Sequence, residues 1–304
     1  MYTKLPLVIL LFLLSGSTLY AQNFSEAVFT NGQQLEAELR TAKSPKERVY
    51  AYIRLYLHHR SHSEPFNKKA AMEAEKAMDI EAEKSGDPRL VAMTLANKLI
   101  YASGAPHNDE IRPVLNRLLH YSKVHQLPDF EAIGKMREAI YYSRWQSDLA
   151  KANECITQSL SFLPQLEDTL QIDLLGINAE TYNNSRKYVE ALKLGFIALE
   201  KAVTLNDPSR MAQSHLRITS TYRYLEDYEK AIRHTTQALH IVEKHQLHGL
   251  KPRIHSMLAR LYISSDQKNL AEHYVNEAFR WATLNRGSKR LFNQLTGELI
   301  ITLC

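Results

Sequence analysis

Any chemistry in this chain would begin with its 13 histidines. His58, His59 and His62 fall together in LHHRSHSEP, where His58 and His62 stand four apart on one helical face with Glu64 close behind. His245 and His248 form a second close pair in EKHQLHG. Two imidazoles at helical spacing can begin a zinc site. Both groups fall at predicted helix ends, however, where a protonated imidazole is favoured by the helix dipole. They are read as solvated helix-end residues, and no metal site is expected. No nucleotide-binding glycine loop, nucleophile elbow or zinc-protease helix occurs anywhere in the sequence. The two cysteines, Cys155 and Cys304, are too few for a disulfide framework. Cys155 lies in an apolar-periodic helix and reads as packing. No catalytic residue and no cofactor is expected.

The elements that would hold such residues are helices. Of 304 residues, 44% are hydrophobic and 23% charged, with only ten glycines and ten prolines. Ala, Leu, Glu, Lys and Arg, all good helix formers, dominate the rest. The net charge of +5 is mild, and both signs are interleaved throughout. Nucleic-acid binders concentrate Lys and Arg in patches, so no nucleic-acid partner is expected.

The stretch YRYLEDYEKAIRHTTQALHIVEK, Tyr222 to Lys244, leads to the organisation of the chain. Steps of about forty residues from Ala231 land on Ala191 and Ala271. Nine residues before each alanine stands a tyrosine, Tyr182, Tyr222 or Tyr262; seven after each stands Ala198, Ala238 or Ala278. A large apolar residue follows, Leu199, Leu239 or Phe279. Twelve before the reference the residue is small: Ala179, Thr219, Ala259. With 16 tyrosines in the whole chain, this agreement is an internal repeat rather than coincidence. Each unit is a pair of helices of roughly 14–18 residues, about 20–27 Å long. The small residues mark close backbone approach, and the tyrosine fills the wedge between the helices. Neither helix buries its face alone, so neighbouring pairs must share a core.

These columns resemble the tetratricopeptide repeat (TPR) family. In HLRITSTYRYLEDYEKAIRHTTQAL the signature positions are Tyr222, Asp227, Tyr228, Ala231 and Ala238; in LLGINAETYNNSRKYVEALKLGFIAL they are Tyr182, Tyr188, Ala191 and Ala198. HSMLARLYISSDQKNLAEHYVNEAF keeps Tyr262, Ala271 and Ala278 but has Lys268 where an aromatic is usual. The period exceeds the family's usual 34, which implies longer helices or loops. Weaker traces lie upstream. Leu149, Ala152 and Ser159 keep the second-helix register one residue off the forty-step, and Phe66, Ala70, Ala74 and Ala77 repeat its offsets. Pro88, Pro128 and Pro208 fall on the same grid, with Asp87 and Asp207 as N-caps before proline at the first helical position. The expected fold is all-α, a right-handed α-solenoid of antiparallel helix pairs. A lead-in helix near 31–42, within 22–45, precedes a solenoid over 46–287. Its helix pairs are expected near 46–84, 89–125, 129–165, 169–205, 209–246 and 251–285. An unpaired helix, 288–304, follows.

Both termini carry further expectations. MYTKLPLVILLFLLSGSTLYAQ has a basic start, a short apolar run and a small-residue exit, the pattern of a signal peptide over 1–21 cleaved after Ala21. The mature chain is expected to be exported, periplasmic or secreted, touching a membrane only through that segment if it stays uncleaved. At the other end, SKRLFNQLTGELIITLC finishes in apolar residues, whereas solenoids need a polar terminal cap. A second protein covering that end, a folded-back helix, or a truncated repeat from a longer reading frame would each account for it; the last is favoured.

The resemblance also implies a ligand surface. In TPR superhelices the first helices line a concave groove that holds a peptide or helix of a partner protein. Carried onto this register, the groove positions are Tyr141, Arg144 and Trp145; Glu180, Asn183 and Asn184; Arg217, Arg223 and Tyr224; and Arg253 and Arg260. Arginine, tyrosine and tryptophan are enriched in binding hot spots. Guanidinium groups take carboxylates through paired hydrogen bonds, which favours an acidic partner. The peptide-carboxylate clamp of some members is not reproduced. The function expected is a non-catalytic exported protein that binds a protein or peptide on its concave surface. The alternative is the extracytoplasmic sensor portion of a truncated bacterial two-component histidine kinase, since an exported TPR array resembles the input region of certain such sensors.

Overall fold

A computed structural model of the chain describes residues 32–61, 67–102 and 111–284. The expected signal segment, His62, Glu64, Phe66, the helix 288–304 and Cys304 lie outside those residues. Every regular element among the described residues is helical. In chain order the α-helices are α1 (Gly32–Thr41), α2 (Pro45–Ser61), α3 (Lys68–Ser85), α4 (Pro88–Ala102), α5 (Ile111–Val124), α6 (Pro128–Tyr141) and α7 (Leu149–Leu160). They continue with α8 (Asp168–Asn184), α9 (Tyr188–Thr204), α10 (Pro208–Tyr224), α11 (Tyr228–Lys244), α12 (Lys251–Ser264) and α13 (Lys268–Leu284).

Local sequence sets the boundaries. Proline occupies the first position of α2, α4, α6 and α10, where its missing N–H is not needed. Asp207 and Asp227 cap α10 and α11, accepting the backbone N–H of Arg210 at 3.0 Å and of Lys230 at 3.1 Å. Asn67 does the same for α3 through Ala70 N–H at 3.0 Å.

The period is written into the backbone as well as the side chains. Between pairs, Gly86, Gln126, Asn206 and Gln246 adopt positive φ; within pairs, Arg186, Glu226 and Asp266 do. All of these except Gly86 close a helix with a bond from the next backbone N–H to the carbonyl five residues back. Lys187 to Tyr182 (2.9 Å), Asp227 to Tyr222 (3.0 Å) and Gln267 to Tyr262 (2.8 Å) are three examples. The αL backbone costs a non-glycine residue roughly 1–2 kcal/mol, and at these non-glycine turns the recurring closing bond offsets part of it by satisfying a helix-end carbonyl.

One pair departs from the grid. After α6 the chain makes a π-helical turn, Tyr142–Gln146, and the closing bond runs six residues, from Asp148 N–H to Tyr142 O at 3.0 Å. The positive φ falls on Ser147 instead of the grid position before it. A π turn inserts one residue. That insertion is the physical reason Ala152 and Ser159 stand one residue off the forty-step. A 3₁₀ turn, Leu163–Gln165, followed by extended Leu166, precedes the return to register in α8.

The upstream trace needs correcting. The residues of α3 that fall on the grid and are buried are Ala71 and Met78, with Ala74 and Ala82, while Ala70 and Ala77 are only half-buried. Counting alanines places the register one residue early, because one small-residue column is filled there by Met78.

The described residues form two compact units, one up to Gly134 together with Ser161–Asp173, the other Lys135–Leu160 together with Leu174 onward. In the first, α1 packs on α2, α2 on α3, α3 on α4 and α4 on α5. Leu35, Ile53, Tyr56, Met78, Leu95, Leu99, Leu115 and Leu118 fill its core. Gly134 lets α6 pass close to α5, since a Cβ there would meet Leu119 Cδ2 at 2.6 Å.

In the second unit the hairpins α10–α11 and α12–α13 are joined by contacts of α11 with α12, and α9 packs on α10. Ala191, Ala231 and Ala271 are buried, as are Ala198, Ala238 and Ala278. Ala212, Leu216, Ala238, Val242, Ile254 and Leu258 form one apolar cluster, with Tyr262 and Tyr274 against it. Close approach is visible at Thr219, whose hydroxyl lies 3.4 Å from the Ala231 carbonyl and 3.1 Å from the Thr235 hydroxyl on the facing helix. The tyrosine column occupies one kind of place. Each ring is half-buried, Tyr182 against Ala139, Cys155 and Ile156, Tyr222 stacked on His234 at 5.6 Å, and Tyr262 stacked on Tyr274 at 5.4 Å.

Candidate ligand-binding face

The first helices of the second unit, α8, α10 and α12, bring together a small set of charges. Arg217 of α10 donates through Nε to Glu180 Oε1 of α8 at 3.2 Å. Its side chain is 11% exposed, and its Nη1 is buried without a hydrogen-bond partner. The guanidinium can lie there because α8 has a glycine beneath it. A Cβ on Gly176 would sit 2.6 Å from Arg217 Nη1 and 2.7 Å from its Cδ and Cζ. Arg253 of α12 is exposed, yet its charged form is disfavoured: desolvation by the surrounding protein is the main cause, and the positive charge of Arg217 adds to it while Glu180 opposes it. Glu180 is thus bonded to Arg217 and acts on Arg253 only through its charge.

At the C-terminal end of α10, Tyr224 stacks on Tyr188, the first residue of α9, at 6.0 Å with rings nearly parallel, and Arg223 places Cζ 4.7 Å from the Tyr224 ring. Tyr224 remains 44% exposed. Arg260 is half-buried and Asn184 exposed, whereas Asn183 is buried. Tyr141 closes α6 and accepts from Gln146 Nε2 at 3.0 Å. Arg144 and Trp145 sit on the π turn, Arg144 exposed and Trp145 half-buried with its indole N–H enclosed. The arrangement gathers Glu180, Arg217 and Arg253; it sets Arg223 and Tyr224 at the helix ends. The π-turn residues are a separate feature.

A Signal Transduction ATPase with Numerous Domains (STAND) protein with a tetratricopeptide repeat sensor, from Pyrococcus horikoshii, superposes with a TM-score of 0.58 at 15% identity. The match covers 89% of this chain and 42% of that one, so the chain spans less than half of the STAND protein. Aspartyl phosphate phosphatase F from Bacillus subtilis gives 0.57 at 11% identity, over 97% of this chain and 80% of that one. The apo form of RapI gives 0.50 at 17%, over 95% and 80%. The fold is TPR-like. No protein-family model matches the chain, and no curated protein matches it in sequence.

The histidine groups found in the sequence take different places on the TPR-like frame. His58 lies in α2 against α1, where a Cβ on Gly32 would approach its Nε2 at 3.0 Å, and His59 packs edge-on to it. His245 caps α11 in the open, and His248 stacks on Trp281 at 5.5 Å. The Cys155 thiol is buried and pushed up to about 12, by desolvation first and then by the Glu138 carboxylate, which removes the thiolate a nucleophile needs.

Three features escaped the sequence reading: the Gly176 seat, the Tyr188–Tyr224 stack and a contact between His215 and His234. The seat joins positions about forty residues apart, one of them a glycine that reads only as a weak point in a helix. No helix among the described residues is long and apolar enough to cross a membrane.

Proposed function

We propose that this chain is a non-catalytic, exported TPR-like protein that binds an acidic segment of a protein partner along the first-helix, concave face of its second unit. The observation that carries the reading is the imbalance at Arg217, where Glu180 takes Nε while Nη1 is buried without a partner and the Arg253 charge lies within reach of both. A ligand carboxylate would correct that imbalance, and paired N–H donors would orient it. The Tyr188–Tyr224 stack beside Arg223 offers a flat apolar support for the rest of a bound segment. Export rests on the segment 1–21.

The test is binding of fluorescein-labelled hexaglutamate to the chain from Gln22 onward, read by anisotropy. Arg217→Ala and Arg223→Ala should each weaken it by about tenfold, the scale of one lost charge-assisted contact. Unchanged affinity in both variants would overturn the assignment of this face.

A second reading, the sensor portion of a larger signalling protein, is favoured by one comparison: the STAND protein carries its tetratricopeptide repeats as a sensor within a chain more than twice the matched length. Genomic sequence beyond codon 304 distinguishes the two. A downstream membrane-spanning segment and kinase core would favour the sensor, and a stop codon the stand-alone binder.

A further inference from the structure

We propose that Glu180 is an internal stand-in for the ligand's carboxylate, occupying Arg217 until an acidic segment displaces it. The inference rests on the reading of the face above and adds its regulation.

The geometry of the pair is that of a placeholder. A guanidinium offers five donors in a planar fork, and a well-matched carboxylate takes two of them in parallel. Glu180 takes Nε at 3.2 Å, at the long end of the ordinary range. Arg217 Nη1 is left buried and without a partner. A charged donor enclosed in that state is costly, and a second acceptor aimed at it would be strongly favoured.

Arg217 does not depend on Glu180 for its position. Its Cδ, Cζ and Nη1 all lie against the α8 backbone at Gly176, so packing holds the fork where it is. Glu180 is 36% exposed and can swing away into solvent without opening the core. Its departure would leave Arg217 without the carboxylate it now holds, beside the like charge of Arg253, and an incoming carboxylate would restore the balance. A ligand with several carboxylates meets that condition; a single weak acid competes poorly with a carboxylate already tethered in place.

The experiment uses the chain from Gln22 onward and labelled hexaglutamate, with Glu180→Gln, Glu180→Asp, Arg217→Gln and the double variant Glu180→Gln/Arg217→Gln. Removing the competing charge should tighten binding by about tenfold, roughly the difference one ion pair makes. Shortening the side chain in Glu180→Asp should tighten it by less. The double variant should bind no better than Arg217→Gln alone. Equal or weaker binding by both Glu180 variants, with hexaglutamate still bound by the wild type, would overturn the stand-in role and leave the face intact. No binding by wild type or any variant would overturn the proposed function and this inference with it. Thermal unfolding of each variant shows whether it is folded, and Glu180→Asp keeps the proposal testable if Glu180→Gln is not.

Discussion

His215 and His234 face each other nitrogen to nitrogen, Nδ1 to Nδ1 at 3.0 Å, across the α10–α11 hairpin. One ring must donate and the other accept, so at least one imidazole has a bare Nδ1. Tyr222 stacks on the His234 ring, Phe196 meets it edge-on at 5.8 Å, and Arg233 adjoins it. Burial holds His215 down to about 4, with His234 adding to the effect, and burial likewise lowers His234. A histidine whose folded value is depressed binds fewer protons than its unfolded counterpart. Its contribution to stability is therefore complete above the unfolded value of 6.5 and is lost as pH falls towards 4. Urea unfolding should show about 2 kcal/mol less stability at pH 5 than at pH 7.5 from His215 alone. His255, also lowered by burial, adds in the same direction. His215→Gln should make the decline shallower; an unaltered slope would mean that the pair does not carry it.

Asp207 carries two tasks in one side chain. Oδ1 caps α10 through Arg210 N–H at 3.0 Å, and Oδ2 accepts from Arg210 Nη1 at 2.6 Å. The Arg210 side chain is 5% exposed, so its charge has been taken out of water. Asp207→Ala removes a cap and strips an enclosed guanidinium of a carboxylate, a loss of about 2–4 kcal/mol. Asp227 caps α11 in the same manner, but its partner Lys230 is half exposed and can return to solvent. Asp227→Ala should lower the unfolding midpoint less. Equal shifts for the two substitutions would refute the distinction.

Much of this was legible before any coordinates. Tyr182, Tyr222 and Tyr262, with the alanines that follow them, announce close helix contacts because only small side chains tolerate them and only rings fill the adjoining wedge. The caps at Asp207 and Asp227 announce helix starts because their chemistry is local. What was not legible depends on contacts between distant positions or on backbone geometry. Met78 hides its column because a large side chain is buried where the other repeats bury alanine. Gly176 carries no sign of the guanidinium it supports. The His215–His234 contact joins two helices through residues that neither periodicity nor motif distinguishes. At the π turn the slip of Ala152 was visible as a number, but its cause lay in the hydrogen bonding of Tyr142–Gln146.

That slip gives a deletion experiment. Removing Ser143 takes out the inserted residue, restores the five-residue closure onto the Tyr142 carbonyl and returns α7 to the forty-residue grid. The expected change in melting temperature is within about 3 °C. Removing Lys193, an exposed residue within α9, instead rotates everything after it by about 100° and carries Ala198 and Ala202 out of the core. That deletion should cost more than about 3 kcal/mol and yield a poorly folded chain. A severe effect from the Ser143 deletion would mean that the π turn is itself required for packing.

Gly176→Ala separates stability from binding. Within a helix, alanine is favoured over glycine by about 1 kcal/mol. Against that gain, a Cβ at 2.6–2.7 Å from Arg217 Nη1, Cδ and Cζ forces the guanidinium to lift from α8. Those atoms are the flexible end of a long side chain, so the helices need not move apart. The two effects offset each other, and the unfolding midpoint should stay within about 1 kcal/mol of wild type. Hexaglutamate binding should nonetheless fall to the level of Arg217→Gln, because the fork no longer sits where Glu180 and the ligand meet it. The Arg217 Nε–H resonance should move in the same variant, reporting loss of the Glu180 contact. Full binding with a displaced resonance would show that Arg217 finds the carboxylate from more than one position, and that the seat at Gly176 orients nothing the ligand requires.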